Sequence, residues 1–228
     1  MSTSVSANLA QVRKRIELAC LAADRPANAV HLLAVSKTMP AQAVRDAYAA
    51  GQVAFGENYI QEGVDKIASL ADLPLEWHCI GPIQSNKSKL VAENFAWVHS
   101  IDRLKIAERL SAQRPVNLPP LQVCLQVNVD GGSNKSGVAP EDLLALAQAV
   151  AKLPHLQLRG IMTIPEPAET EAEARAVHQQ AKRLFDHLKT AGLTLDTLSM
   201  GMTADLEAAV AEGSTCVRVG TAIFGARQ

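Results

Sequence analysis

The chain has 228 residues, 48% hydrophobic and 20% charged, with a formal net charge of −1. This balance suits one compact soluble domain over 1–228 and leaves no basic stripe for nucleic acid. No apolar stretch is long enough to span a membrane, and residues 1–25 carry too many charges for a signal peptide, so a cytoplasmic protein is expected.

Residues 7–23 read as an amphipathic helix that precedes the first strand and packs outside the fold or closes one end of it. Short β-rich runs follow at 31–36, 52–55, 75–80, 97–99, 121–129, 156–162, 195–200 and 216–219. Helical segments lie between them. The first is 41–50, behind Pro40, a good first helical residue. Next come 57–70, with Ile60, Val64 and Ile67 on one face, then 87–94, 103–113 and 141–152. The segment 171–191 aligns Val177, Ala181, Leu184 and Leu188, and 205–211 precedes the last strand. Eight strands alternating with helices argue for a parallel sheet, and at this length for a single closed (β/α)8 TIM barrel. The rival, an open doubly wound sheet, would carry a G-x-G-x-x-G turn after the first strand, and the chain has none. Cys20, Cys79, Cys124 and Cys216 form no C-x-x-C pair; the last three sit in strand-like runs as small core residues, as in a reduced compartment.

A barrel places its chemistry at the carboxyl ends of its strands. There the first strand offers Lys37, the second Asn58, the third Gly81 to Asn86, the fifth Lys135, the sixth Met162, the seventh Gly201 and Thr203, and the eighth Gly220 and Thr221. A lysine at the mouth of a core is partly desolvated, which favours the neutral amine, and a neutral amine condenses with an aldehyde. Glycine-rich loops after strands seven and eight hold phosphate in many barrels. A lysine with a phosphate site suggests pyridoxal 5′-phosphate (PLP), with no metal. Each residue also has a plainer reading. Lys37 and Lys135 are solvated loop lysines, Thr203 caps the helix at 205–211, and Asn58 caps the helix at 57–70. Gln84 and Asn86 orient groups at the rim or cap the helix at 87–94. His78 is an acid–base group or a hydrogen-bonded core residue, on the opposite strand face from Trp77 and Cys79. Arg218 either meets the ring nitrogen of the cofactor or forms a salt bridge to Glu212 or another acid.

Four strings carry a family resemblance: Leu33-Ala34-Val35-Ser36-Lys37, Phe55-Gly56-Glu57-Asn58-Tyr59, Trp77-His78-Cys79-Ile80-Gly81-Pro82-Ile83-Gln84-Ser85-Asn86-Lys87, and Arg218-Val219-Gly220-Thr221-Ala222-Ile223-Phe224-Gly225. Together they resemble the pyridoxal phosphate homeostasis protein family, the proline synthetase co-transcribed homologue group. The resemblance implies a fold-type III barrel like the N-terminal domain of alanine racemase. It implies a Schiff base between Lys37 and PLP, Arg218 near the ring nitrogen, and Thr203, Gly220 and Thr221 around the phosphate. Asn58 and Met162 would line the ring, and Lys135 matches a lysine linked to cofactor exchange. The family usually has serine where this chain has Thr203. The implied function is a carrier that buffers PLP for vitamin B6 homeostasis and passes it to apo-enzymes, without strong catalysis of its own and expected as a monomer. The alternative is a fold-type III amino-acid racemase. That enzyme needs a second base opposite the lysine, and neither Tyr48 nor Tyr59 is well placed in the sequence to serve.

Overall fold

A computed structural model describes residues 4–131 and 136–225. Eight strands close in sequence order into a barrel, all neighbours parallel: β1 (His31–Val35), β2 (Ala54–Glu57), β3 (Glu76–Cys79), β4 (Trp97–Ile101), β5 (Leu121–Val127), β6 (Leu156–Thr163), β7 (Thr197–Ser199) and β8 (Cys216–Val219). The (β/α)8 barrel expected from the alternation is the observed fold. Its outer layer holds α1 (Val5–Ala22), α2 (Ala41–Ala49), α3 (Ile60–Ser69), α4 (Ser88–Asn94), α5 (Leu104–Gln113), α6 (Leu143–Val150), α7 (Glu171–Thr190), α8 (Leu206–Ala211) and a single turn, α9 (Thr221–Phe224).

Helix α1 packs outside the barrel, between α2 and α8, rather than across its end. Asn8 donates to Ile223 O in α9 at 2.9 Å, Arg13 donates to Ala50 O after α2 at 2.8 Å, and Arg15 pairs with Glu207 of α8. The helix after β8 is only one turn long, so α1 supplies the cover that sector needs.

Helix α2 starts at Ala41, as expected, with Pro40 as the residue that precedes it. One helix start moves for a physical reason. Glu57, expected at the start of a helix, belongs to β2, and the helix begins at Ile60, because Glu57 is buried and holds neighbouring elements. On α7 the buried stripe is Ala174, His178, Ala181, Phe185 and Leu188, one step round from the aligned apolar residues, with a capping box of Thr170 and Glu173 at its start.

The apolar core between barrel and helices contains Phe55, Trp77, Cys79 and Phe95, while Leu33, Ile80 and Cys216 form a separate small cluster with Val35 and Ala54. On β3, therefore, Trp77 and Cys79 share one face and Ile80 lies on the other, as alternation requires. All four cysteines are buried. Burial pushes the Cys79 thiol up to about 12 and the Cys216 thiol up to about 11, so neither is a nucleophile near neutrality.

Candidate functional site

The carboxyl-end rim starts with the turn that carries Lys37. Lys37 continues the inward row of Leu33 and Val35 to the barrel mouth and is half-buried. The residues on either side of it are tied down. Ser36 N–H donates to Gly56 O at 3.1 Å and Ser36 Oγ donates to Glu57 Oε1 at 2.6 Å. Thr38 N–H donates to Glu62 Oε1 at 2.6 Å, with Thr38 at φ 64°, a left-handed conformation that a β-branched residue adopts only under constraint. Lys66 knits the cluster together, donating to Ser36 O at 2.6 Å, Glu57 Oε1 at 2.8 Å and Glu62 Oε1 at 2.7 Å. Burial pushes the Glu57 carboxyl above the usual carboxylate range, against the lowering pull of Lys66 and Ser36.

Asn58 follows β2, and its Oδ1 is buried with no hydrogen-bond partner. It does not cap α3, whose first flanking residue is Tyr59. Gly81 is what lets Asn58 sit there: a Cβ on Gly81 would lie 2.0 Å from Asn58 O. That contact is with backbone and cannot rotate away. Gly81→Ala is expected to cost about 1–3 kcal/mol of stability through overpacking, read as a lower urea midpoint; an unchanged midpoint would show that the end of β2 has room to move.

Strand β6 contributes Met162, fully buried, and Thr163, whose Oγ1 is buried without a partner. Across the barrel, Arg218 is 4% exposed. It donates from Nη1 to Ser199 Oγ at 2.8 Å and from Nη2 to Thr163 O at 2.7 Å. No carboxylate pairs with it among the described residues; Glu212 pairs with Arg175 instead, at 2.8 Å. A buried guanidinium with donors to spare and no anion is a costly arrangement that an acceptor ligand relieves.

Strand β8 is joined to the loop after β7 by Arg218 N–H donating to Gly201 O at 3.0 Å. Gly201 has φ 95°, and a Cβ there would lie 2.5 Å from Ala209 Cβ. Thr203 is not the cap of α8: Asp205 holds that position, and the Thr203 hydroxyl makes no hydrogen bond within the described residues. Asp205 accepts from Met202 N–H at 2.7 Å and meets His178 Nε2 at 2.8 Å. Burial raises the Asp205 carboxyl, but His178 and the Met202 N–H together hold it below the usual range. Gly220 follows β8 beside Val35 of β1, and Thr221 opens α9.

Lys37, Asn58, Met162, Thr203, Arg218, Gly220 and Thr221 thus lie at the carboxyl ends of β1, β2, β6, β7 and β8, all at one mouth. Lys135 lies outside the described residues. Gln84 makes no side-chain cap bond to the turn that follows it. Sequence reasoning passed over Glu57, Glu62 and Lys66 beneath the lysine turn and His178 behind the β7 loop. A lysine four residues after a glutamate on α3 was the only local signal for the first group.

The buried Arg218, paired with no carboxylate among the described residues, and the Thr203 hydroxyl beside the glycine loops after β7 and β8 suit a planar heteroaromatic phosphate ester with an acceptor nitrogen: PLP fits this donor set. A family model described as "Alanine racemase, N-terminal domain" matches residues 7–228. A Pseudomonas aeruginosa protein named pyridoxal phosphate homeostasis protein is 63% identical over 227 residues, covering 100% of this chain and 97% of its own. The Escherichia coli protein of that name is 54% identical over 226 residues, covering 98% and 97%. The structure of PipY from Synechococcus elongatus, solved with PLP bound, is 40% identical, covers 97% of this chain and 100% of its own, and superposes with a TM-score of 0.87.

Proposed function

The chain belongs to the alanine racemase N-terminal domain family, among the pyridoxal phosphate homeostasis proteins, and on that premise we propose that it binds PLP at the barrel mouth and buffers and carries it for vitamin B6 homeostasis. The observation that carries this reading is the buried Arg218, which has no carboxylate partner among the described residues and faces the same mouth as Lys37. When bound, PLP supplies an electron-withdrawing ring to amines linked at its aldehyde. Lys37 is the covalent anchor, its backbone fixed by Ser36, Thr38 and the Lys66 cluster. Thr203, Gly220 and Thr221 take the phosphate. The Thr203 hydroxyl is uncommitted, so it serves this role as serine would. Asn58 and Met162 flank the ring, and Lys135 assists exchange.

Arg218 keeps its charge at any ordinary pH. A permanent donor at the ring nitrogen leaves that nitrogen unprotonated and the ring a weaker electron sink, which suits storage better than carbanion chemistry. Racemisation also needs a second base across from the lysine. Tyr48 lies on α2 in the outer layer, and Tyr59 is 55% exposed ahead of α3. On this reading the protein is a single-domain cytoplasmic monomer that hands PLP to apo-enzymes.

The test is borohydride reduction of the PLP-loaded protein followed by peptide mapping, with alanine racemisation assayed in parallel. A pyridoxyl adduct on Lys37 and no turnover are expected. No adduct sinks the PLP reading, and turnover at enzymatic rates sinks the carrier reading.

A further inference from the structure

The interior of a (β/α)8 barrel is normally filled by layers of branched aliphatic side chains. Here a polar column runs through it. Arg218 Nη1 lies 2.8 Å from Ser199 Oγ, Ser199 Oγ lies 2.9 Å from His99 Nδ1, His99 Nε2 lies 2.9 Å from His78 Nδ1, and His78 Nε2 lies 2.9 Å from Glu76 Oε1. Five residues from β3, β4, β7 and β8 make one unbroken chain of contacts. His78, His99 and Ser199 are buried. Glu76, at the far end, is 48% exposed and stands at a cavity of about 600 Å3 whose wall also includes His78, Trp97 and His99. The cavity opens at the amino ends of the strands, opposite the mouth that holds Lys37.

With both imidazoles neutral, the Glu76 end dictates the sense of every hydrogen bond between the histidines and Ser199. A guanidinium only donates and an ionised carboxylate only accepts. His78 therefore donates Nε2–H to Glu76 and accepts at Nδ1 from His99 Nε2–H. His99 accepts at Nδ1 from the Ser199 hydroxyl, whose oxygen accepts from Arg218. Both imidazoles are neutral Nε2–H tautomers, assigned here from the network. A second proton on His78 sets two donors face to face with His99, and one on His99 forces the Ser199 hydroxyl to turn from donor to acceptor. Burial acts in the same direction on both histidines, holding His78 below and His99 well below their ordinary value. Around the pair, Glu76 favours a proton on His78 and His31 opposes it, while Arg218 opposes one on His99. Cys124 and Cys216 face the column as neutral thiols, and Arg159, stacked on Trp97 at 4.7 Å, is neutralised by Asp196 at 2.7 Å.

We propose that Glu76, His78, His99 and Ser199 are positioning residues that hold Arg218 toward the cofactor's ring nitrogen, so that the grip on PLP depends on a proton-sensitive chain reaching solvent at the opposite end of the barrel. The proposal rests on the PLP reading above. At neutral pH the chain is intact. As pH falls through the pair's value, protonation makes His99 a donor toward Ser199 and the Ser199–His99 bond reverses; Ser199 Oγ then accepts from both His99 and Arg218 and its own hydrogen must turn to another partner, which disturbs the seat of Arg218.

The experiment joins two readouts on the whole protein. Nitrogen-15 histidine NMR, without and with PLP, is expected to show His78 and His99 as neutral Nε2–H tautomers at neutral pH. PLP affinity and the visible absorbance of the lysine-linked cofactor are then followed against pH for Ser199→Ala, Glu76→Ala and Glu76→Gln. Ser199→Ala removes one oxygen and is expected to weaken PLP binding by roughly tenfold or more, the worth of a hydrogen bond to a charged group. Glu76→Ala moves the acid limb of the pH profile, and Glu76→Gln, which keeps an accepting oxygen for His78, restores it. An Nδ1–H tautomer or a charged ring at neutral pH overturns the chain. So does a folded Ser199→Ala variant with unaltered affinity and pH profile. Absence of a Lys37 adduct in the unaltered protein removes the cofactor reading, and this proposal falls with it; an adduct in both proteins with indifferent Ser199→Ala removes the positioning role alone.

Discussion

Lys37→Ala is expected to lose the borohydride-stable adduct and the visible absorbance of lysine-linked PLP completely. On the proposed reading the covalent anchor is the one interaction that no neighbour can replace, since the other groups at the mouth, Asn58, Thr203 and Arg218, carry no nucleophilic amine. Weak binding through the proposed phosphate loops is expected to remain, so equilibrium dialysis should still detect PLP at high concentration. The fold is untouched, because Lys37 is half-buried at the rim and the turn is held by Ser36 and Thr38. Lys37→Arg separates charge from chemistry: it keeps the cation and still cannot form the adduct. Full absorbance in Lys37→Ala would place the anchor on another lysine, with Lys135 the first to map.

Lys66→Met is expected to be the most damaging substitution to stability near the site. Lys66 is 7% exposed and bonds Ser36 O, Glu57 and Glu62, while Glu57 is fully buried with Oε2 already lacking a partner. Removing the cation strands a buried carboxylate, which costs about 3–5 kcal/mol when one partner of a buried pair is deleted. The loss is read by urea denaturation. Its pH dependence has a definite sign. Burial raises Glu57 in the folded state, and loss of Lys66 raises it further. A carboxyl with a raised folded value contributes most when protonated, below its unfolded value, and that contribution fades as pH climbs through the folded one. The deficit of Lys66→Met is therefore largest in alkali and shrinks on acidification. Glu57→Gln in the same chain recovers part of it. A uniform deficit across pH would show that Glu57 is not the group left stranded. Because Lys66 also holds Ser36 O, adduct formation at Lys37 slows in the variant; an unaltered rate would free the turn from this cluster.

Much of the barrel was legible because strands and helices follow local rules. The alternation of apolar runs located all eight strands, and strand parity set Trp77 and Cys79 against Ile80 without any tertiary knowledge. The placement of candidate residues at strand ends put Lys37, Asn58, Arg218 and Gly220 at one mouth. Where the reading slipped, a distant partner outweighed local preference. Glu57 belongs to β2 rather than a helix because Ser36 and Lys66 claim its carboxylate. His178 joins the buried face of α7 because Asp205 of another loop receives it. Thr203 keeps its hydroxyl because Asp205 takes the cap position.

The sequence by itself determined the barrel, the strand ends and the inward row that presents Lys37, since each follows from a period of two or from the order of elements along the chain. Only the tertiary structure decided what Arg218 and the two histidines do. His78 and His99 are 21 residues apart and His99 and Ser199 100 apart, so no local pattern relates them. Closing the sheet brings them onto one axis, and burial there leaves the two histidines only their neighbours in the chain to bond with.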